Sequence, residues 1–363
     1  MTDPDSFSEF RKSLLDWHQG IDRPMPWKGE KDPYKVWLSE IILQQTQVSR
    51  GSLYYERFLK RFPDVTDLAS ASLDEVMKMW EGLGYYSRAR NLHKTAGIIV
   101  EMYGGEFPDD YDKLLSLQGV GPYTAAAIGS FAFGIPRAVV DGNVYRVLAR
   151  YFGIEEPIDT TAGKKLVAAC AEACLDQGNP GGYNQAIIDF GALQCRPFNP
   201  DCDTCPMQGN CLAFSHTLVD ELPRKSRKLR RKVRFFHYLY ACPPEGVLIR
   251  RREGQDIWKH LYELPLIEFG EDVNWDAIDC GARELGWWGQ GAVEDSGKVG
   301  PYTHLLTHQE IRTYFWFVDL SDWDGTNFGH DFLRVTRPQL KEFAFPRPIR
   351  CFFEDKALHL KLF

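Results

Sequence analysis

The sequence predicts a multidomain chain: an all-α domain over residues 1–216, a basic linker over 217–232, and a smaller α+β domain over 233–363. Three observations predict this division. Through residue 215, apolar side chains recur at three- and four-residue spacing, the period of helices with one buried face. Beyond residue 233, segments become rich in aromatic and β-branched residues, the composition of strands. Between them the charge changes abruptly. Residues 217–234 carry 8 Lys and Arg against 2 Asp and Glu, whereas 1–216 carry 21 against 28 and 235–363 carry 14 against 20.

In the first domain the helical period runs through Phe7–Trp17, Val36–Val48, Leu53–Phe62, Leu92–Met102 and Leu166–Leu175. Ser72 and Glu75 have the spacing of a capping box, and Pro122 after Gly121 marks a helix start. In the second domain Phe235–Ala241, Gly246–Arg252 and Ile311–Leu320 read as strands. Pro243-Pro244-Glu245-Gly246 reads as the turn between the first two.

With 363 residues, 44% hydrophobic and 26% charged, the chain has material for ordinary globular cores. No apolar run approaches the roughly 18 residues of a membrane span. Met1-Thr2-Asp3-Pro4-Asp5 lacks the basic-then-apolar order of a secretory signal. A cytoplasmic monomer without a membrane partner is expected. The net charge of −7 does not by itself suggest a nucleic-acid binder. The run from Arg224 to Lys232 suits either a place near phosphates or a solvated linker, so motifs must decide.

Nine cysteines, an odd number without an export signal, argue against a disulfide framework. Cys195, Cys202, Cys205 and Cys211 have the spacing C-x6-C-x2-C-x5-C, and four thiolates in one loop suit zinc or a 4Fe-4S cluster. The other five are scattered and read as small apolar or surface residues. Upstream, Leu117-Gln118-Gly119-Val120-Gly121-Pro122-Tyr123 joins two expected helices. Gly119 and Gly121 permit the close approach that lets backbone amides face a phosphate, and Leu117 and Val120 would pack the hairpin. Asp141 follows at an expected helix start. Glu40 interrupts an apolar helix, where a carboxylate is costly unless paired, protonated or used; the alternative is a place on the solvated face.

Hairpin, aspartate and cysteine loop together resemble the endonuclease III superfamily of helix–hairpin–helix DNA glycosylases, over residues 6–215. The stretch Trp37-Leu38-Ser39-Glu40-Ile41-Ile42-Leu43-Gln44-Gln45-Thr46-Gln47-Val48 resembles the signature of the adenine DNA glycosylases, the MutY family. The resemblance implies a 4Fe-4S cluster on Cys195, Cys202, Cys205 and Cys211, acting as a staple. It implies double-stranded DNA with adenine opposite 8-oxoguanine or guanine as partner. Glu40 becomes the general acid that protonates N7 of a flipped adenine, and Asp141 the stabiliser of an oxocarbenium-like sugar, supported by Tyr123 and Asn143. Lyase members carry lysine where Tyr123 stands; a phenol forms no Schiff base, so the implied reaction uses water and stops at an abasic site. Trp27 and Lys28 would line the adenine pocket, with Lys28 in place of the family's familiar arginine. Gln45, Leu83, Tyr85 and Arg88 would contact the duplex around the opposing base, and Gly119 and Gly121 would carry the phosphate-facing amides.

The segment Leu248–Pro265 resembles the opening strands of a Nudix-type fold, and Arg283-Glu284-Leu285 a fragment of its hydrolase box. Gly286-Trp287-Trp288 follows without the glutamate pair that would hold magnesium, so a recognition module is implied. His304-Leu305-Leu306-Thr307-His308 is similar to the family loop that inspects oxidised guanine, with Leu306 replacing an aromatic. Oxidation turns guanine N7 from an acceptor into a donor, and a Thr307 hydroxyl beside His308 could accept there. Two other readings are a lyase acting on oxidised pyrimidines and an inactive DNA-binding or redox-sensing protein. Tyr123 and the Leu-Gln-Gln-Thr-Gln run disfavour the first, and the presence of both Glu40 and Asp141 disfavours the second.

Overall fold

The computed structural model describes residues 4–226, 231–243, 246–288, 295–320 and 331–355. Residues 227–230 of the basic run and 244–245 of the expected turn lie outside them. Helices follow in the order α1 (Pro4–Gln19), α2 (Pro33–Leu43), α3 (Val48–Arg61), α4 (Val65–Ser70), α5 (Leu73–Met79) and α6 (Ser87–Tyr103). Then come α7 (Tyr111–Ser116), α8 (Pro122–Ala132), α9 (Gly142–Tyr151), α10 (Thr161–Cys174), α11 (Pro180–Leu193) and α12 (Leu212–Ser215). The chain divides into two compact units, Met1–Ala71 with Asn91–Lys228, and Ser72–Arg90 with Leu229–Phe363. Among the described residues no helix is long and apolar enough to cross a membrane.

Local chemistry starts these helices. Asp32, Asp64, Asp110, Thr160 and Asn179 each stand before a helix and accept the amide two or three residues on, worth about 1 kcal/mol apiece. Ser72 accepts from the Glu75 amide at 3.2 Å, and α8 opens at Pro122 as its sequence signals. One expected element is corrected. The apolar period through Val48 predicted one helix, but α2 stops at Leu43, and Gln45 takes a φ of 56° before α3 begins. Periodicity alone hid the turn, because apolar residues continue on both sides of it.

The core of the first unit packs α1 against α9, α10 and α11 through Phe10, Leu14, Val147, Leu148, Val167, Tyr183, Ile187 and Phe190, all buried. Helices α9 and α11 approach closely at Gly191, where an added Cβ would lie 2.6 Å from Asn143 Cβ. That contact fixes the first turn of α9, which carries Asp141.

In the second unit β1 (Lys232–Cys242), β2 (Val247–Arg251), β3 (Tyr262–Glu263), β4 (Leu266–Phe269) and α13 (Trp275–Glu284) precede β5 (Asp295–Leu305) and β6 (Gln309–Asp319). After them come β7 (Leu333–Val335) and α14 (Arg347–Glu354). One sheet has the order β4-β1-β6-β5 and the other β3-β2-β7. The β1–β6 pair is parallel, with Lys232 opposite Gln309, while β5–β6 and β1–β4 are antiparallel. Along β1, Phe236, Tyr238 and Tyr240 feed a core shared with β2 and α14, while Leu239 and Ala241 feed a second core beneath α13. A central strand covered on both faces accounts for its nearly unbroken apolar run. Trp287 and Trp288 fill that second core.

Residues 72–90 cluster with this unit, a grouping additional to the linker that the sequence suggests as a boundary. The Glu81 carboxylate accepts the Phe345 amide at 2.9 Å, Lys78 Nζ donates to the Phe343 carbonyl at 2.8 Å, and Arg90 Nη1 donates to the Lys259 carbonyl at 2.9 Å.

Alanine normally favours a helix over glycine by about 1 kcal/mol. Gly191→Ala should nevertheless destabilise the protein by about 1–3 kcal/mol through overpacking against Asn143. Urea denaturation checks this, and a raised midpoint would contradict the close approach.

Candidate active site

A cavity of about 970 Å³ opens in the first unit. Its lining includes Glu40 from α2, Tyr123 from the start of α8, and Asp141 and Asn143 from the start of α9. Trp27, Lys28, Gln45, Gly119 and Gly121 also line it, so nine of the residues singled out in the sequence meet in one space. Trp27 is packed edge-on against Tyr55, with ring centroids 5.5 Å apart. The hairpin adopts the expected turn: Gly119 has a φ of 80°, and a Cβ there would lie 2.7 Å from Asn91 Cβ, so only glycine fits. Leu117 and Val120 are buried beneath it.

Glu40 does not sit on the solvated face of α2; it is 7% exposed. Burial pushes its carboxyl up to about 7, the Tyr123 hydroxyl opposes this by hydrogen bonding to the carboxylate, and the Asp141 charge adds to the rise. Tyr123 is itself held far above the usual phenol range, by burial first and then by the charges of Glu40 and Asp141. It remains a hydroxyl that can donate to Glu40.

Asp141 is the N-cap of α9. Its Oδ1 accepts the amides of Asn143 at 2.8 Å and Val144 at 2.9 Å, and its Oδ2 accepts Asn143 Nδ2 at 2.7 Å. The carboxylate is therefore fixed in direction by three N–H groups. Asn143 is fixed in turn, because Arg146 Nη2 donates to Asn143 Oδ1 at 2.9 Å. The same guanidinium donates through Nη2 to the Gly191 carbonyl at 2.6 Å and through Nε to the Cys195 carbonyl at 2.7 Å. A continuous chain of hydrogen bonds thus runs from the acid of the cavity to the first residue of the cysteine loop.

None of the nine cysteines forms a disulfide. Cys195, Cys202, Cys205 and Cys211 line one small cavity with Val147, Tyr151, Phe190 and Met207. Burial raises the thiols of Cys202, Cys205 and Cys211, Cys205 to about 11, and the neighbouring sulfurs add to each rise. Arg150 Nη1 lies 3.5 Å from Cys195 Sγ and donates to the Arg196 carbonyl at 2.7 Å. Among the described residues no three His, Cys, Asp or Glu side chains converge as a single chelated ion requires.

Five further expected residues belong to the second unit. Tyr85 is 47% exposed with a φ of 47°, in a turn whose Gly82 and Gly84 also have positive φ. Its hydroxyl lies 2.9 Å from Thr307 Oγ1. Thr307 and His308 form an exposed loop between β5 and β6, closed by the Leu306 amide donating to the Gln309 carbonyl at 2.8 Å. Leu83 and Arg88 are buried rather than presented outward. Arg88 donates to the Gly84 carbonyl at 3.1 Å and lies 4.9 Å from the centre of the Trp80 ring, so it secures the turn that presents Tyr85.

Arg146, Asp189, Gln185, Arg23 and His18 were not singled out in the sequence. Asp189 carried a usable signal, since it interrupts the apolar run Ala186-Ile187-Ile188-Asp189-Phe190 much as Glu40 interrupts α2. Arg146 carried none, because an arginine one turn into an amphipathic helix is ordinary.

Comparison with known proteins agrees with this arrangement. Residues 38–172 match the family described as HhH-GPD superfamily base excision DNA repair protein, and residues 237–355 match the NUDIX domain. The adenine DNA glycosylase of Buchnera aphidicola subsp. Baizongia pistaciae is 36% identical over 270 residues, covering 73% of this chain and 76% of that protein. The adenine DNA glycosylase of Homo sapiens is 42% identical over 222 residues, covering 59% of this chain and 41% of that protein. Among solved structures, a thermostable thymine-DNA glycosylase aligns with a TM-score of 0.55 at 30% identity, covering 58% of this chain and 98% of the other. Endonuclease III in a non-covalent DNA complex shares the fold, with a TM-score of 0.53 at 22% identity, covering 60% and 99%. The chain belongs to the adenine DNA glycosylases, base-excision enzymes that carry a helix–hairpin–helix domain followed by a Nudix-like domain.

Proposed function

We infer that the chain hydrolyses the N-glycosidic bond of adenine mispaired with 8-oxoguanine or guanine in double-stranded DNA, leaving an abasic site. The observation that carries the reading is a buried acid, raised to about 7, sharing a cavity with a second carboxylate held by three N–H groups. An unprotonated adenine is a poor leaving group. Glu40, protonated near neutrality and aligned by the Tyr123 hydroxyl, donates to N7 as the bond breaks. Asp141, whose direction is fixed, offers negative charge to the sugar as it becomes cationic. Asn143 keeps that carboxylate in place. Water adds to the sugar, because Tyr123 has no amine with which to form an imine. The amides around Gly119 and Gly121, with the start of α8, suit a phosphate of the duplex. Trp27 and Lys28 flank the extruded base, and Gln45 and Tyr85 enter the stack around the opposing guanine.

The four cysteines suit a 4Fe-4S cluster. Their side chains line one apolar cavity, and four cysteines in one loop supply the ligand set that such a cluster would need. Cys195, Cys202, Cys205 and Cys211 would hold the cluster, which would cross-link the end of α11 to the loop that follows it. Protein purified without exposure to oxidants should be brown, with broad visible absorption and about four irons per chain. Colourless protein holding zinc would contradict this assignment.

Thr307 accepts from the N7–H that only oxidised guanine offers, with His308 beside it. The double variant Thr307→Ala, His308→Ala should reduce the rate preference for 8-oxoguanine over guanine by about tenfold, one lost hydrogen bond. Unchanged discrimination in single-turnover assays would place lesion reading elsewhere.

A duplex cleavage assay with the opposing base varied tests the whole reading; nicking at oxidised pyrimidines in place of adenine release would favour a lyase. Glu40 acts in its protonated form and its carboxyl is raised from 4.5 to about 7. Single-turnover release should therefore be fullest below that value and fall as pH rises through it. Glu40→Gln should bind duplex yet lose base release by about 10²–10⁴-fold, the usual contribution of a general acid. Near-normal turnover by this variant would remove Glu40 from the mechanism.

A further inference from the structure

Arg150 lies in the last turn of α9 and is only 3% exposed. Its Nη1 donates to the Arg196 carbonyl at 2.7 Å and stands 3.5 Å from Cys195 Sγ. Nη2 donates to the Pro197 carbonyl at 3.4 Å, and Nε to the Leu222 carbonyl at 3.1 Å. The carbonyl of Arg150 itself is 3.5 Å from Cys211 Sγ. Among the described residues no carboxylate pairs with this buried cation; its partners are three carbonyls and one sulfur.

A guanidinium keeps its charge, and burying it without a counter-ion is costly. Three neutral carbonyls orient the group but bring no negative charge. The cysteine sulfurs can bring it. Four thiolates carry more negative charge than an iron–sulfur core neutralises, so the loaded loop offers Arg150 a net anion. Backbone amides of Met207, Ala213 and Phe214 also face the Cys205 and Cys211 sulfurs, but they carry no net charge. Arg146 meets Cys195 at its carbonyl and not at its sulfur. Positive charge and hydrogen bonding at a ligand sulfur both favour the form of a cluster that holds one more electron.

We propose that Arg150 raises the reduction potential of the cluster through its contact with Cys195, and so protects the staple from oxidative loss. The proposal rests on the 4Fe-4S reading above. The step concerned is removal of one electron from the resting cluster, accepted by an electrode or by dioxygen as superoxide, with no bond made or broken. Holding carbonyls alone does not require a cation, since neutral donors satisfy them without the cost of a buried charge.

Protein-film voltammetry of the holoprotein reads the potential, and iron release in air reads the protection; neither depends on base release. Arg150→Gln keeps N–H donors but removes the charge. It should lower the midpoint by about 59 mV, a tenfold change in a one-electron equilibrium, and lose iron faster in air. Arg150→Lys keeps the charge and should stay closer to the unsubstituted protein in both readouts. Equal midpoints in iron-loaded forms of all three proteins overturn the proposal and leave Arg150 as a support for the loop. If neither variant holds iron, unsubstituted protein carrying isotopically labelled arginine decides. Pulsed EPR of its paramagnetic cluster should show coupling to a guanidinium nitrogen, and absence of that coupling overturns the proposal. Unsubstituted protein that holds zinc or no metal when prepared without oxygen overturns the underlying cluster reading instead.

Discussion

Everything in the first unit is arranged around keeping one carboxyl group, that of Glu40, away from water yet close to another negative charge. Burial disfavours ionisation, and the Asp141 charge adds to that effect. The result is an acid still holding its proton at a pH where exposed glutamates have lost theirs. This arrangement carries a stability consequence. A carboxyl raised in the folded state favours folding at low pH, and the contribution is lost as pH rises through about 7. The unit tolerates this because a dense core of α1, α9, α10 and α11 stands beside the cavity, each fully buried large side chain adding on the order of 1.5–3 kcal/mol.

The second acid depends on a different device. Asp141 is held by the first turn of α9, and that turn is held by Asn143, Arg146 and the close contact at Gly191. Arg146 reaches the Cys195 carbonyl as well, so the position of the cysteine loop and the direction of Asp141 are set through one guanidinium. This gives the cysteine loop a structural reason to lie next to the cavity: its contact with Arg146 helps make rigid the helix start that carries the carboxylate. Arginine suits the place because its planar fork can satisfy several acceptors at once.

The second unit uses backbone strain for a comparable end. Gly82, Gly84 and Tyr85 all have positive φ, and the inward-turned Arg88 donates to the Leu83 and Gly84 carbonyls beneath them. Tyr85 is thereby presented at the surface with its hydroxyl against Thr307, 222 residues away in the chain. Two side chains expected to meet the same base pair thus belong to one hydrogen-bonded patch.

Much of this was legible in the sequence. Helical period, cap residues, the hairpin glycines, Glu40, Asp141 and the cysteine spacing each report local chemistry, and local chemistry is written in neighbouring residues. What tertiary structure alone decided are contacts between distant segments: the end of α2 at Leu43, the grouping of residues 72–90 with the C-terminal strands, and the inward turn of Arg88. The reach of Arg146 to Cys195 is of the same kind. An arginine in a helix reads alike whether it faces water or a carbonyl 49 residues on, and only folding chooses its partner. Sequence by itself determined the chemical groups and the class of reaction they suit; tertiary packing determined which were desolvated, which were oriented, and hence which hold protons near neutrality.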